Sequence, residues 1–233
     1  MTRSVLRGDL LQSWTATLKP DAPNRFVVGI QPEQVQPLNV FFTAHAIAQP
    51  VVFPMVRGRL IAINGRAISS TDYADDRARR LIDREFNLSW AERLQPDNRI
   101  VAGRWWDDGA ANSDQLSIEE GIAATLGLKR GDRLTYDVAG TTFDATITSL
   151  RKVEWDSFRA NFFVVAPPQL LKDLPASYMT SLFVPSAQAA TLNHLVRDFP
   201  NLIVIAVAHI MSPVRQILAQ VTNAVQFVFL FPL

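Results

Sequence analysis

The stretch from Ser117 to Trp155 constrains this chain more than any other, because its hydrophobic period changes partway along. Between Glu119 and Leu126 the apolar residues Ile122, Ala123 and Leu126 fall at helical spacing. Gly127 then supplies the left-handed residue on which such helices stop. Ser117 is placed to cap this helix, with Glu119 and Glu120 as acids of its first turn. Lys129-Arg130-Gly131-Asp132 reads as a turn. From Leu134 the period becomes two, with Leu134, Tyr136 and Val138 on one face, and Phe143, Ala145 and Ile147 repeat it after a turn at Ala139-Gly140-Thr141. A helix, a capped turn and a β-hairpin with one face in a core make a scaffold, with no catalytic side chain in view.

The rest of the chain alternates between the same two patterns. Leu6, Leu10, Leu11, Trp14 and Leu18 give Thr2 to Leu18 an amphipathic helical stripe, ended by Lys19-Pro20. Arg25 to Ile30 is a short strand. Pro32 introduces a helix over Glu33 to Ala48 with Val35, Leu38, Phe41 and Phe42 inward. Val51 to Asn64 is a long or bent strand marked by Pro54 and Gly58, and Asn64-Gly65 is a hairpin signal. Asp75 to Glu85 offers the helix-spaced pairs Asp75–Arg79, Asp76–Arg80 and Arg79–Asp83, a solvated face rather than a nucleic-acid patch since acids match bases. Strands follow at 86–90 and 99–105. The polar run Gly109 to Asp114 is a surface loop or a seam between two lobes. Beyond the hairpin, 162–166 is a buried strand, and strand 180–184, helix 187–199 and strand 202–207 form half of a ferredoxin-like β-α-β unit. Ile210, Val214, Ile217, Val221, Val225 and Val228 then recur at three- and four-residue steps, near a heptad seam.

The expected fold is therefore α+β. Small mixed sheets, one ferredoxin-like half and one hairpin-rich subdomain, sit at 23–207 on a stalk of two antiparallel terminal helices, 1–22 and 208–233. Leu6, Leu10 and Trp14 would meet Ile210, Val214, Ile217 and Val221 in that stalk, with both chain ends on one side of the domain.

Composition narrows the function by exclusion. In 233 residues, 48% are hydrophobic and 19% charged, enough for a sizeable core. A net charge of +1 gives no electrostatic reason to expect nucleic acid. With no cysteine, disulfides and thiolate chemistry are out. Thr2 to Trp14 lacks the apolar core of a secretory signal, and no run of about 20 apolar residues is present to span a bilayer. The stretch Ala224 to Phe231 is nonetheless so apolar that the sequence reads as a piece of a larger membrane protein, with a spanning helix about to begin.

Motifs for chemistry are scarce. His45, His194 and His209 lie apart, without zinc spacing, and suit surface or capping roles. No nucleophile elbow, phosphate loop or dinucleotide fingerprint occurs, so neither a nucleotide nor any other cofactor is expected. Asp107-Asp108 beside Trp105-Trp106 could form an acid pair or a sugar platform, but adjacent strand residues point to opposite faces. A loop with one buried tryptophan is the plainer reading. Arg57 and Arg59, flanking Gly58, could meet an anionic headgroup or a partner's acid, or pair within the domain. With Trp105 and Trp106 they make a candidate partner surface. Phe162, Phe163, Val164 and Val165 read as core rather than a lipid cleft.

A helix ending in Leu126-Gly127-Leu128, then Arg130-Gly131-Asp132-Arg133-Leu134, then a hairpin with Gly140, resembles the extracytoplasmic domain of FtsX/MacB-type ABC-transporter permeases. The stretches PMVRGRL (Pro54 to Leu60), VAGRWW (Val101 to Trp106) and NFFVV (Asn161 to Val165) make it most similar to the YbbP-like branch, over nearly the whole chain. The resemblance implies a non-catalytic domain on the periplasmic face of a bacterial inner membrane. It also implies a cytoplasmic ABC ATPase handling ATP, a second permease copy, and mechanotransmission from the ATPase to a hydrophobic or lipid-like cargo or to a periplasmic esterase. The alternatives are a stand-alone binding or dimerisation module with an apolar C-terminal helix, and an enzyme built on Asp107 or Asp108.

Overall fold

A computed structural model describes residues 22–106 and 114–208. In chain order the elements are β1 (Arg25–Ile30), α1 (Val35–Ala44), β2 (Val52–Ile63), β3 (Arg66–Ala67), α2 (Asp76–Ile82), β4 (Phe86–Trp90), β5 (Asn98–Gly103) and β6 (Gln115–Glu119). There follow α3 (Glu120–Leu126), β7 (Arg133–Val138), β8 (Thr141–Val153), β9 (Val164–Ala166), α4 (Pro168–Leu171), β10 (Ser177–Leu182), α5 (Thr191–Asp198) and β11 (Ile203–Ala206). The architecture is mixed α/β, with short helices on an extensive sheet.

The sheet divides by its pairing. One part has the order β11-β1-β10-β2, every neighbour antiparallel. Its chain order is β1-α1-β2 and later β10-α5-β11, the split β-α-β connectivity in which each helix returns the chain across one sheet face. Val27, Ile30, Leu38, Phe42, Leu182 and Leu195 form the core between that face and its helices. The other part closes on itself. β2 pairs β4, β4 pairs β9, β9 pairs β6, β6 pairs β8, β8 pairs β7, and β7 returns to β2. The hairpin-rich subdomain expected from the sequence is thus one turn of a six-stranded barrel. Its alternating residues Leu60, Leu88, Leu134, Tyr136, Ala145 and Ile147 fill the interior, with α2, α3 and α4 packed on it. Closure removes the exposed edges that a free hairpin would present.

Local readings hold in kind and shift in detail. Gly127 caps α3 at φ 70. The α3 N-cap is Glu119, whose Oε2 accepts from Ile122 N at 2.8 Å, rather than Ser117. Ser117 lies inside β6 and accepts from Ser149 Oγ at 2.9 Å. Helix α1 stops at Ala44, short of the expected Ala48, because His45 leaves helical geometry and Ala46 turns to φ 54. On α2, Asp75 caps Ala78 N at 2.8 Å instead of pairing with Arg79, and the ion pair formed is Arg79–Asp76 at 3.4 Å. The terminal stripes, including Leu6, Leu10, Trp14, Ile210, Val214, Ile217 and Val221, lie outside the described residues, as do Asp107, Asp108 and His209.

Candidate functional site: the joint between sheet and barrel

β2 belongs to both parts. Val52 to Met55 pair with β10 in the split sheet, and Val56 to Ile63 pair with β4 and β7 in the barrel wall. Its direction sets where the barrel lies relative to the chain's entry into the sheet. Arg25, where β1 starts, stands opposite Leu182 and Ala206, and Val207 N donates to Asn24 O at 3.0 Å. The described chain therefore enters and leaves side by side. From that end β2 runs away and carries on into the barrel, which lies at the far end.

Apolar side chains from several segments meet where β2 crosses over. Met55, Trp106, Phe162 and Val165 are buried together, with Phe53, Ala91, Trp105 and Met179 against them. Phe53 and Phe162 approach edge to face at 6.4 Å, as do Trp90 and Tyr178 at 6.3 Å. The indoles of Trp105 and Trp106 lie 3.7 Å apart and donate to Glu92 O at 3.0 Å and Ala91 O at 2.9 Å. Ser89 Oγ donates to Pro54 O at 2.7 Å, and Ala160 N to Ser181 Oγ at 2.9 Å, so polar contacts cross the joint as well. Such a cluster resists bending, because any hinge motion would open apolar surface at about 25 cal/mol per Å².

Beside the joint lies a buried polar cluster. Arg151 is fully buried and donates through Nη2 to Phe162 O, while its Nε and Nη1 have no hydrogen-bond partner among the described residues. Burial pulls its pKa down to about 10, against the opposing charges of Glu119 and Asp97. Asp97 Oδ2 accepts from Ser157 Oγ and Asn161 Nδ2, each at 2.7 Å, and its Oδ1 from Asn98 Nδ2 at 3.3 Å. These bonds tie the segment around 154–162 to the start of β5. Sequence reading missed this cluster. The signal was present, since Arg151 continues the core-facing series Ala145, Ile147, Ser149 along β8.

The candidate partner residues separate into two groups. Arg57 and Arg59 share the outer face of β2, both exposed, with no ion pair among the described residues. Gly58 between them is buried, and a Cβ there would stand 2.8 Å from Leu88 Cδ1, so bare backbone lets the barrel wall close. Trp106 is buried in the joint and Trp105 half-buried over it. His45 Nδ1 lies 2.8 Å from Phe41 O, and His194 is exposed. Among the described residues no three of His, Cys, Asp or Glu gather as metal ligands, and no helix is long and apolar enough to cross a membrane.

No family model matches the chain. Comparison with curated proteins finds similarity to an ABC-transporter permease, the class that the sequence resemblance named. One similar protein is the ABC transporter permease YbbP of Escherichia coli (strain K12), 38% identical over 210 residues, which are 90% of this chain and 25% of that protein. The chain thus spans about a quarter of the length of the curated relative it matches. Among solved structures, a permease-protein domain from Porphyromonas gingivalis aligns at 12% identity and a TM-score of 0.35, over 78% of this chain and 88% of that one.

Proposed function

We propose that this chain is a non-catalytic extracytoplasmic domain of an ABC-transporter permease, acting as a rigid lever. The observation that carries the reading is the layout of its ends. Asn24 and Val207 leave the fold hydrogen-bonded to each other, with the barrel at the opposite end. Two flanking segments that continue into the membrane would grip the split sheet at one point and swing the barrel outside it. The continuous β2 and the apolar joint support movement as one body, the shear or hinge being confined to the flanks. In this reading the stalk is built from Leu6, Leu10 and Trp14 against Ile210, Val214, Ile217 and Val221. A cytoplasmic ABC ATPase supplies the motion in a two-copy assembly on the bacterial inner membrane. The barrel's outer face, with Arg57 and Arg59, works on a hydrophobic cargo or on a periplasmic partner such as an esterase.

The test uses the intact permease with its ATPase. Spin labels at exposed Thr142 on the barrel and Val196 on the sheet lobe report one distance within a domain, and Thr142 labels report the distance between copies. Adding ATP and trapping the hydrolysed state should leave the first unchanged and shift the second. A barrel-to-sheet distance that changes, or a between-copy distance that does not, refutes the lever.

A further inference from the structure

The fold brings together two histidines that lie far apart in the chain. His45 is the C-cap of α1, and His194 stands within α5. Both helices contribute to the core of the split sheet, where Phe41 of α1 meets Phe199, the C-cap of α5, edge to face at 6.1 Å. The imidazole centres of His45 and His194 are 6.1 Å apart, with their planes tilted by 59°. His45 is held in two ways. Its ring stacks on Phe41 at 4.1 Å between centres, and its Nδ1 lies 2.8 Å from Phe41 O. A carbonyl oxygen only accepts, so Nδ1 carries the proton and Nε2 keeps a free lone pair. His194 is exposed, with room to change rotamer.

We propose that His45 and His194 form a binding site for a divalent transition-metal ion such as Zn²⁺ or Cu²⁺, which bridges α1 and α5 and keeps water on its remaining positions. Imidazole nitrogen suits these ions. A metal-bound histidine characteristically donates its other ring N–H to a carboxylate, a backbone carbonyl or water, and His45 already makes such a bond to Phe41. With metal–nitrogen bonds of about 2.0–2.1 Å, two imidazoles on one ion have their centres about 5–6 Å apart, so a small turn of His194 completes the pair. The charges nearby do not oppose a cation. α1 carries no charged residue, and on α5 Arg197 is matched by Asp198 at 3.5 Å. Two protein ligands, rather than the three or four of a permanent site, leave the ion exchangeable, with a Kd of roughly 10–100 µM from the effective concentration of the second imidazole. When filled, the site pins the end of α1 to α5. It concerns the sheet lobe alone and stands whether or not the lever does.

The chain has three histidines and no cysteine, so competing ligands are few. The full 233-residue chain is titrated with zinc chloride by isothermal calorimetry, and with copper sulfate followed by electron paramagnetic resonance. One ion per chain should bind with a Kd below about 100 µM, and Cu²⁺ should show coupling to two imidazole nitrogens. His45→Ala and His194→Ala should each weaken Zn²⁺ binding at least tenfold, while His209→Ala leaves it unchanged. His194 is exposed, so its substitution keeps the fold, and far-ultraviolet circular dichroism checks His45→Ala, whose ring packs on Phe41. Saturating Zn²⁺ should also slow amide exchange at the end of α1 and in α5 together, an effect that His194→Ala removes. The proposal is overturned if no saturable binding is found up to millimolar Zn²⁺, if binding survives either the His45 or the His194 substitution, or if His209→Ala abolishes it. Slowed exchange confined to one of the two helices would equally refute a bridging ion.

Discussion

Replacing Arg151 with methionine should leave the domain about as stable as before, although the residue is fully buried and bonded to the joint. Burial lowers the guanidinium pKa to about 10. Relative to the ordinary arginine value of 12.5 that is a bias of about 3 kcal/mol against the charged form. Arg151→Met removes that cost and forfeits the donor to Phe162 O, a loss of about 1–3 kcal/mol for a buried carbonyl left unpaired. Glu119 and Asp97 keep their own partners, Ile122 N for the first and Asn98, Ser157 and Asn161 for the second. Methionine fills most of the volume, so the two effects nearly cancel, as in other buried charge replacements. Arg151→Ala suffers the same loss plus a cavity, and should cost about 3 kcal/mol. Urea unfolding of the two variants beside the parent, with equal m-values, measures the difference. For a chain of this size 1 kcal/mol corresponds to about 2–4 °C in Tm. If Arg151→Met loses more than about 3 kcal/mol, the arginine charge is a net stabiliser through Glu119 and Asp97, and the burial argument fails.

Phe162→Ala, at 2% exposure in the joint, should cost about 3–5 kcal/mol and raise amide exchange in β2 near Met55 and in β10 near Met179 together. Exchange rising in one part alone would mean that the cluster does not couple them. Gly103→Ala should prevent β5 from docking, since at φ 77 its Cβ would stand 2.1 Å from Thr148 O. Gly127→Ala, at φ 70 with open space around it, should cost only about 1–2 kcal/mol; comparable melting points for the two would contradict this. The bond from Thr135 Oγ1, and after it Arg133, holds the Asp144 carboxyl below its ordinary pKa. Its folded value lies under its unfolded one, so its contribution is present above the unfolded pKa and disappears as pH falls through the folded value. Asp144→Asn should therefore flatten the acid side of the stability profile and leave its slope above pH 6 unchanged, as thermal melts across pH would record.

Period and punctuation alone placed most strands and the helix stops. Residues that alternate on β7 and β8, or a glycine that must take positive φ, are dictated by near neighbours, and Leu134, Tyr136, Gly127 and Asn64-Gly65 sit as their spacing requires. The chain's similarity to a permease was likewise legible in local words such as PMVRGRL and VAGRWW. Barrel closure was not, because it depends on β7 finding β2 and β4 finding β9 across long loops, and no residue names its distant partner. Nor was the role of Ser117, which reads as a helix cap and lies inside a strand because Ser149 is opposite it. The joint and the Arg151 cluster were decided by the same non-local pairing. Phe53, Trp106, Phe162 and Met179 are ordinary apolar residues until β2 crosses from sheet to barrel and brings them together. Burial and hydrogen bonding reward such contacts only after the chain has closed, so only the assembled fold could reveal which of these residues hold it together.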